Sequence, residues 1–385
     1  MSGAGRGAQA LTAERVFDGR ALRAGVAVVI EGAEVAALMD LAEARAKGMP
    51  VRDLGAGVLA PGLVDLQVNG GGGVMLAAGA DVAMLARICD AHARLGATLI
   101  LPTLITDRAE VTAQVIAAGV AAARAGVPGF GGLHLEGPHL DPRRAGAHDA
   151  TLIRPMAEGD LALLERAAAR LPALMVTVAP EAVSPAQIAR LAAAGVVVSL
   201  GHSGCSAEAA RAAQAAGATC ATHLFNAMGP LAARAPGLVG AVLTGGLRAG
   251  IIADGVHVAE EGLRVALAMK APDALFLVSD AMAVAGTGAE AFELNGRRVL
   301  RRDGRLTLGD GTLAGADITL PQSLAYLARL GVDPARALAM ASRIPADVIG
   351  AQAHGRLTPG ARADLVHLAP DWALRGVWRG GVPVD

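Results

Sequence analysis

Eight short apolar runs bounded by Gly or Pro recur through the middle of the chain, and most are separated by segments whose apolar positions follow helical spacing. The runs are VLAPGLVDLQV (58–68), ATLILPTL (97–104), GGLHLE (131–136) and ALMVTVAP (173–180), then VVVSLGH (196–202), TCATHLF (219–225), AGIIAD (249–254) and DALFLVSD (273–280). Between them lie segments such as DVAMLARICDAHARLG and SAEAARAAQAAG, and Ser184-Pro185 before AQIARLAAAG reads as an N-cap with Pro at the first helical position. Strands that are apolar along their whole length, not alternately, suit a parallel sheet covered by helices on both faces. Eight such units in about 290 residues match an α/β (β/α)8 TIM barrel in count and length. A doubly wound open sheet is the alternative. It is weakened because no GxGxxG or GxxxxGK[ST] loop follows the first run.

The flanks have a different texture. Residues 1–57 and the segment from about 350 to 385 alternate short strand-like pieces with turn residues, as in ERVFDGRALRAGVAVVIEGAEVAAL and GVWRGGVPVD. The two ends are expected to pair as a small β-sandwich domain, 1–57 with 350–385, beside a catalytic barrel spanning 58–349.

Composition excludes several classes of function. With 53% hydrophobic and 18% charged residues over 385 positions, the chain can bury a large core. A net charge of -1 gives no general attraction to nucleic acid or anionic membrane, and 2% aromatics leaves no stacking platform for bases. The N-terminal MSGAGRGAQALTAERV lacks the apolar core of a signal peptide. Cys89, Cys205 and Cys220 form no CxxC pair and cannot all be joined, so a reduced, cytoplasmic setting is expected.

Residues at the C-terminal ends of barrel strands converge on one mouth. In order these are Gln67 and Asn69, Thr103, Glu136, Glu181, His202, His223, Asp254 with nearby His257, and Asp280. Glu136, His202 and His223 make a two-His, one-carboxylate set, which suits zinc with one position left open. Each histidine could instead be a hydrogen-bonded core residue; three ligand types on three strand ends favour the metal. Asp280 follows a strand too apolar to leave a carboxylate without a partner. It is a metal ligand, a general base or a helix cap. The only lysines, Lys47 and Lys270, fall outside the strand runs, so no carboxylated lysine can bridge two ions, and a mononuclear site is expected. The segment THLFNAMGPLAARAPGL adds Asn226, Ala227 and Arg234 after His223. An amide, backbone N–H groups and an arginine are the parts of a phosphate cradle, or else of an ordinary solvated loop.

Taken together, APGLVDLQVNGGGG, HLEGPHLDPRRAGAH, GHSGCSAE, ATHLFNAM, GIIADGVHV, LVSDAMAVAG and GTLAGADITL occur in an order that resembles the N-acetylglucosamine-6-phosphate deacetylase family of the amidohydrolase superfamily. The resemblance runs from about residue 14 to the ADLVHL segment. It implies one divalent ion per subunit, zinc first and other divalent metals as alternatives, on Glu136, His202 and His223, with Asp280 as the proton-transferring acid and base. It also implies substrate contacts from Ala147, His148, Asn226, Ala227, Arg234 and His257, and a Leu313-Ala314-Gly315 turn closing over the acetamido end. The implied substrate is a phosphorylated amino sugar, and the implied assembly is a homodimer, with no nucleic-acid or membrane partner. Gln67-Val68-Asn69 stands where some members carry His-x-His, which places the chain with the single-metal branch. GHSGCS and the His139 of HLEGPHL depart from the commoner pattern without replacing a ligand.

Rival readings remain at this level. Another amidohydrolase acting on a cyclic amide or a different N-acyl sugar would share the barrel and the metal, but would not need the phosphate cradle. A non-catalytic scaffold would be expected to have lost ligands. A sugar-phosphate isomerase barrel would not require the Glu-His-His set.

Overall fold

The computed structural model describes residues 8–385. Eight strands form one sheet in sequence order: Leu63–Val68, Ala97–Ile105, Leu133–Glu136, Leu174–Val178, Val197–Leu200, Cys220–Ala221, Arg248–Ile251 and Leu275–Leu277. Ladders from the second strand through the eighth are parallel. A parallel bridge from Val68 to Ala281 joins the first strand to the chain leaving the eighth, so the sheet curls into the expected (β/α)8 barrel. The first, second and fourth strands are buried at every position, which is why their sequences read as unbroken apolar runs. Each fully buried Leu or Val contributes about 1.5–3 kcal/mol, enough to offset the roughly 1–2 kcal/mol of backbone entropy lost per ordered residue.

The covering helices form where the spacing predicts. Val82–Arg94 follows the first strand, and Ala207–Ala215 starts on Ser206, whose side chain accepts from Ala209 N–H. Ser184 caps Pro185–Ala193 in a capping box with Gln187, as the Ser-Pro pair suggested.

Contacts divide the described residues into two units, 66–91 with 100–318, and 8–65 with 92–99 and 319–385. In the latter, a four-stranded sheet from residues 9–53 and a six-stranded sheet uniting residues 15–23 and 58–61 with 365–383 share one apolar cluster. Leu11, Val28 and Ile30 of the first sheet meet Val16, Leu59, Leu365 and Trp378 of the second, which gives the β-sandwich built from both termini.

The other unit carries most of the barrel and an element absent from the sequence reading. Four antiparallel strands, Ala291–Leu294, Arg297–Arg302, Arg305–Thr307 and Leu313–Ala316, follow the eighth barrel strand. Leu313, Ala314 and Gly315, expected as a turn, are therefore in an edge strand. The difference arises because Gly-rich GTLAGAD reads as a turn locally, while its ladder partner, Arg305–Thr307, is supplied by a hairpin with weak alternation.

Candidate metal and active site

Beneath the barrel mouth lies a chain of buried polar side chains. His134 donates from Nδ1 to Leu66 O (3.0 Å), so its Nε2 accepts from Thr177 Oγ1 (2.7 Å). Thr177 lies 2.6 Å from Thr222, and Thr222 2.7 Å from Ser199. Burial lowers the His134 pKa to about 4, which keeps the ring neutral in this network. His134 was not singled out in the sequence. It could have been, since it lies two residues before Glu136 and so on the same strand face.

Above this layer three donors meet. Glu136 Oε1 is 2.9 Å from His223 Nε2 and 3.2 Å from His202 Nε2, and the two Nε2 atoms are 3.1 Å apart. All three side chains are buried. His202 and His223 have left-handed backbones, with φ of 46° and 29°, and Asp280 has φ of 49°. A non-glycine residue there costs roughly 1–3 kcal/mol, and such strain gathers where a side chain must be aimed. These three residues lie just beyond the strand ends at Leu200, Ala221 and Leu277.

A hydrogen bond fixes the tautomer of His202. His202 Nδ1 donates to Arg144 O (2.8 Å), so the neutral ring presents a bare Nε2 to Glu136 and His223. The turn behind it is held by Glu181, which accepts from Ser203 Oγ (2.7 Å) and Gly204 N–H (3.0 Å). Asp141 N–H donates to His202 O (2.9 Å). Glu181, a strand-end carboxylate, thus supports the ligand turn and does not line the cavity.

Glu136, His148 and His202 also lie with ligand atoms within 4.8 Å of one another. His148, however, accepts at Nδ1 from Thr106 N–H (3.3 Å), which leaves the hydrogen of the neutral ring on Nε2. That nitrogen, 3.7 Å from Glu136 Oε2, is a donor and not a ligand. Burial, then the neighbouring His202, lowers the His148 pKa to about 4 and keeps it neutral.

The Glu136–His202–His223 triangle fits a metal. Donors in a tetrahedral zinc site with bonds of about 2.0–2.1 Å stand roughly 3.3 Å apart, close to the observed sides. His202 Nε2, bare in the neutral ring, and the Glu136 oxygen 3.2 Å away repel unless a cation or proton sits between them. Burial would raise the Glu136 carboxyl, but the surrounding imidazoles outweigh it and hold it well below the usual carboxylate range.

Asp280 stands beside the triangle. Its Oδ1 accepts from Asn69 Nδ2 (2.7 Å) and Gln67 Nε2 (3.1 Å), and Gln67 Nε2 also lies 3.1 Å from Glu136 Oε1. Burial, and next the charge of Glu136, push the Asp280 pKa up to about 6 against the pull of His223. Asp280 therefore sits where a carboxyl can both take and return a proton near neutrality.

These groups open into a cavity of about 240 Å³, also lined by Ala147, Asn226, Ala227, His257, Thr312, Leu313 and Gly315. Ala314 is fully buried behind the lining, packed with Met282 and Leu294. Arg297 donates to Ala147 O and ties the four-stranded insertion to the His148 loop. Arg234 is exposed and lies outside the lining, and no Arg or Lys is among the described lining residues.

Comparison with known proteins gives a consistent picture. Residues 58–384 match the amidohydrolase family profile. A protein from Shewanella sp. (strain ANA-3) named N-acetylgalactosamine-6-phosphate deacetylase is 37% identical over 330 residues, 85% of this chain and 83% of the relative. The Haemophilus influenzae protein named N-acetylglucosamine-6-phosphate deacetylase is 33% identical over 364 residues, 91% of this chain and 92% of the relative. Among solved structures, the N-acetylglucosamine-6-phosphate deacetylase from Pasteurella multocida superposes with a TM-score of 0.93 at 31% identity, covering 98% of this chain and 99% of that one. A mutant of the Mycobacterium smegmatis enzyme in complex with N-acetyl-D-glucosamine-6-phosphate gives 0.89 at 34% identity, covering 98% and 99%.

Proposed function

The chain belongs to the amidohydrolase family, and from that premise we propose that it hydrolyses the acetamide of N-acetylglucosamine 6-phosphate, giving acetate and glucosamine 6-phosphate in amino-sugar metabolism. The observation that carries the reading is the convergence of Glu136, His202 and His223 within 3.2 Å, with Asp280 tied to the same amide, Gln67. The named relatives and solved neighbours support the substrate class.

Glu136, His202 and His223 would hold one zinc ion, which when bound polarises a carbonyl and lowers the pKa of water toward neutrality. Asp280 takes a proton from the attacking water and later delivers it to the nitrogen. An amine leaves only once protonated, so one carboxyl serves both steps. With Oδ1 occupied by Asn69 and Gln67, Oδ2 is the oxygen left for this traffic. His148 Nε2–H is a donor suited to the carbonyl oxygen as negative charge develops there. Leu313 and Gly315 would close on the acetyl methyl, while Ala147, Asn226, Ala227 and His257 would contact the sugar and its phosphate.

We propose a homodimer in which Arg234 completes an anion site, a reading supported by its exposed loop and by a cavity lining that holds no Arg or Lys among the described residues. Cys89, Cys205 and Cys220 form no disulfide, in keeping with a cytoplasmic enzyme. No helix among the described residues is long and apolar enough to cross a membrane. The proposed division is a catalytic barrel over 58–349 and a small domain from 1–57 and 350–385.

The deciding experiment measures acetate release from N-acetylglucosamine 6-phosphate, its galactosamine epimer and unphosphorylated N-acetylglucosamine, after chelation and after zinc is restored. Zinc-dependent release from phosphorylated sugar alone is expected. Equal release from the unphosphorylated sugar would remove the phosphate reading, and no release from any would point to another amide. The epimer is included because the Shewanella relative bears its name.

A further inference from the structure

We propose that Asp254 is a positioning residue that fixes His257 as the anion-reading donor of this cavity. The inference rests on the phosphorylated-substrate reading above and extends it to a residue outside the lining. Asp254 and His257 sit in the turn after the seventh barrel strand, with side chains only 7% and 6% exposed. Asp254 Oδ1 accepts the N–H groups of Val256 and His257, both at 2.8 Å. Its Oδ2 accepts from His257 Nδ1 at 2.6 Å, the length of a charge-assisted bond.

These contacts have separate effects. Oδ1 shapes the turn and sets the backbone from which His257 projects. Oδ2 requires a hydrogen on Nδ1, since a carboxylate only accepts, and so leaves Nε2 as the ring nitrogen available to a ligand. His257 lines the cavity. The other three imidazoles of the lining are committed around Glu136, and no Arg or Lys joins them among the described residues. A phosphate oxygen needs a donor at Nε2. With Nδ1 already carrying a hydrogen, a ring that donates from both nitrogens is an imidazolium, held between the carboxylate of Asp254 and the incoming anion. Asp254 thereby supplies both the orientation and the countercharge that let a buried imidazole carry positive charge. Sequence alone placed Asp254 at a strand end without a role.

Asp254→Asn separates the functions. The amide oxygen keeps both backbone caps, while its NH2 donates to Nδ1 and moves the ring hydrogen to Nε2, which stays neutral. The experiment measures kcat and KM for N-acetylglucosamine 6-phosphate and N-acetylglucosamine with zinc-reconstituted wild type and Asp254→Asn. The expected result is a fall of about 10–100-fold in the preference for the phosphorylated sugar, carried by KM. An unchanged preference, with wild type discriminating, would overturn the role and leave Asp254 a turn cap. A wild type without preference would fail at the earlier step, removing the phosphate reading itself. Independently of turnover, 15N NMR of zinc-loaded protein with and without inorganic phosphate should show His257 Nδ1 protonated in both states, and a bare Nδ1 would overturn the proposal.

Discussion

The Nε2 atoms of His202 and His223 face each other at 3.1 Å, and each lies within 3.2 Å of the same oxygen of Glu136. His202 cannot donate from Nε2 while neutral, because its hydrogen is committed to Arg144 O. A cation held among these atoms would relieve the repulsion between His202 Nε2 and the Glu136 oxygen.

Metal should consequently stabilise the fold as well as activate it. A ligand that binds only the native state at 100 times its Kd adds about 2.7 kcal/mol. Zinc added to chelated protein should raise Tm, and Glu136→Gln should abolish most of that rise. Calorimetry with and without zinc checks this; equal shifts in wild type and variant would remove Glu136 from the ligand set.

Asp280→Asn should keep the metal and lose turnover by about 10²–10⁴-fold, the usual worth of a positioned acid-base group. Metal content and kcat are measured on the same preparation. Near-normal turnover at full metal content would end the acid-base assignment.

Gly315 has φ of 69°, and a Cβ there would stand 2.4 Å from Met282 Cγ and 2.7 Å from Asp280 O. Gly315→Ala should destabilise by about 1–3 kcal/mol and reduce kcat by shifting Asp280. Met282→Ala added to it should restore only part of the loss, because the backbone carbonyl remains. Denaturant melts of both variants test this. Full recovery in the double variant would mean that only the methionine is in the way.

Acid should loosen the loop that carries His148. Arg154 donates to Asp160 (2.7 Å, Nη2 to Oδ1), and its backbone N–H bonds Pro138 O (3.1 Å), closing the loop at its base. Arg154, opposed by burial, holds the Asp160 carboxyl below its ordinary value. A depressed carboxylate contributes stability that is present above the unfolded value and lost as pH falls through the folded one. The stability gap between wild type and Asp160→Asn should therefore be constant above about pH 5 and shrink below about pH 4. A gap independent of pH from 5 down to 3 would show that the charge contributes nothing.

Much of this was legible in sequence because barrel strands buried on both faces leave a continuous apolar signature, and because polar residues closing such runs have few structural excuses. Glu136, His202, His223 and Asp280 were found that way, and they meet. The insertion strands 291–316 were not legible, since their half-exposed, Arg-rich alternation resembles loop composition. His134 was hidden inside an apolar run, where only its same-face spacing to Glu136 marked it.

By itself, the sequence determined the barrel, the strand-end residues and their chemistry, because burial and side-chain type are written position by position. Tertiary structure decided the rest. Which nitrogen of each histidine is bare depends on Arg144 O, Thr106 N–H and Asp254, partners 58, 42 and 3 residues away. Whether His148 donates or ligates is therefore a property of the folded hydrogen-bond network. It cannot be read from the residue, since an imidazole's role is set by what its other nitrogen meets.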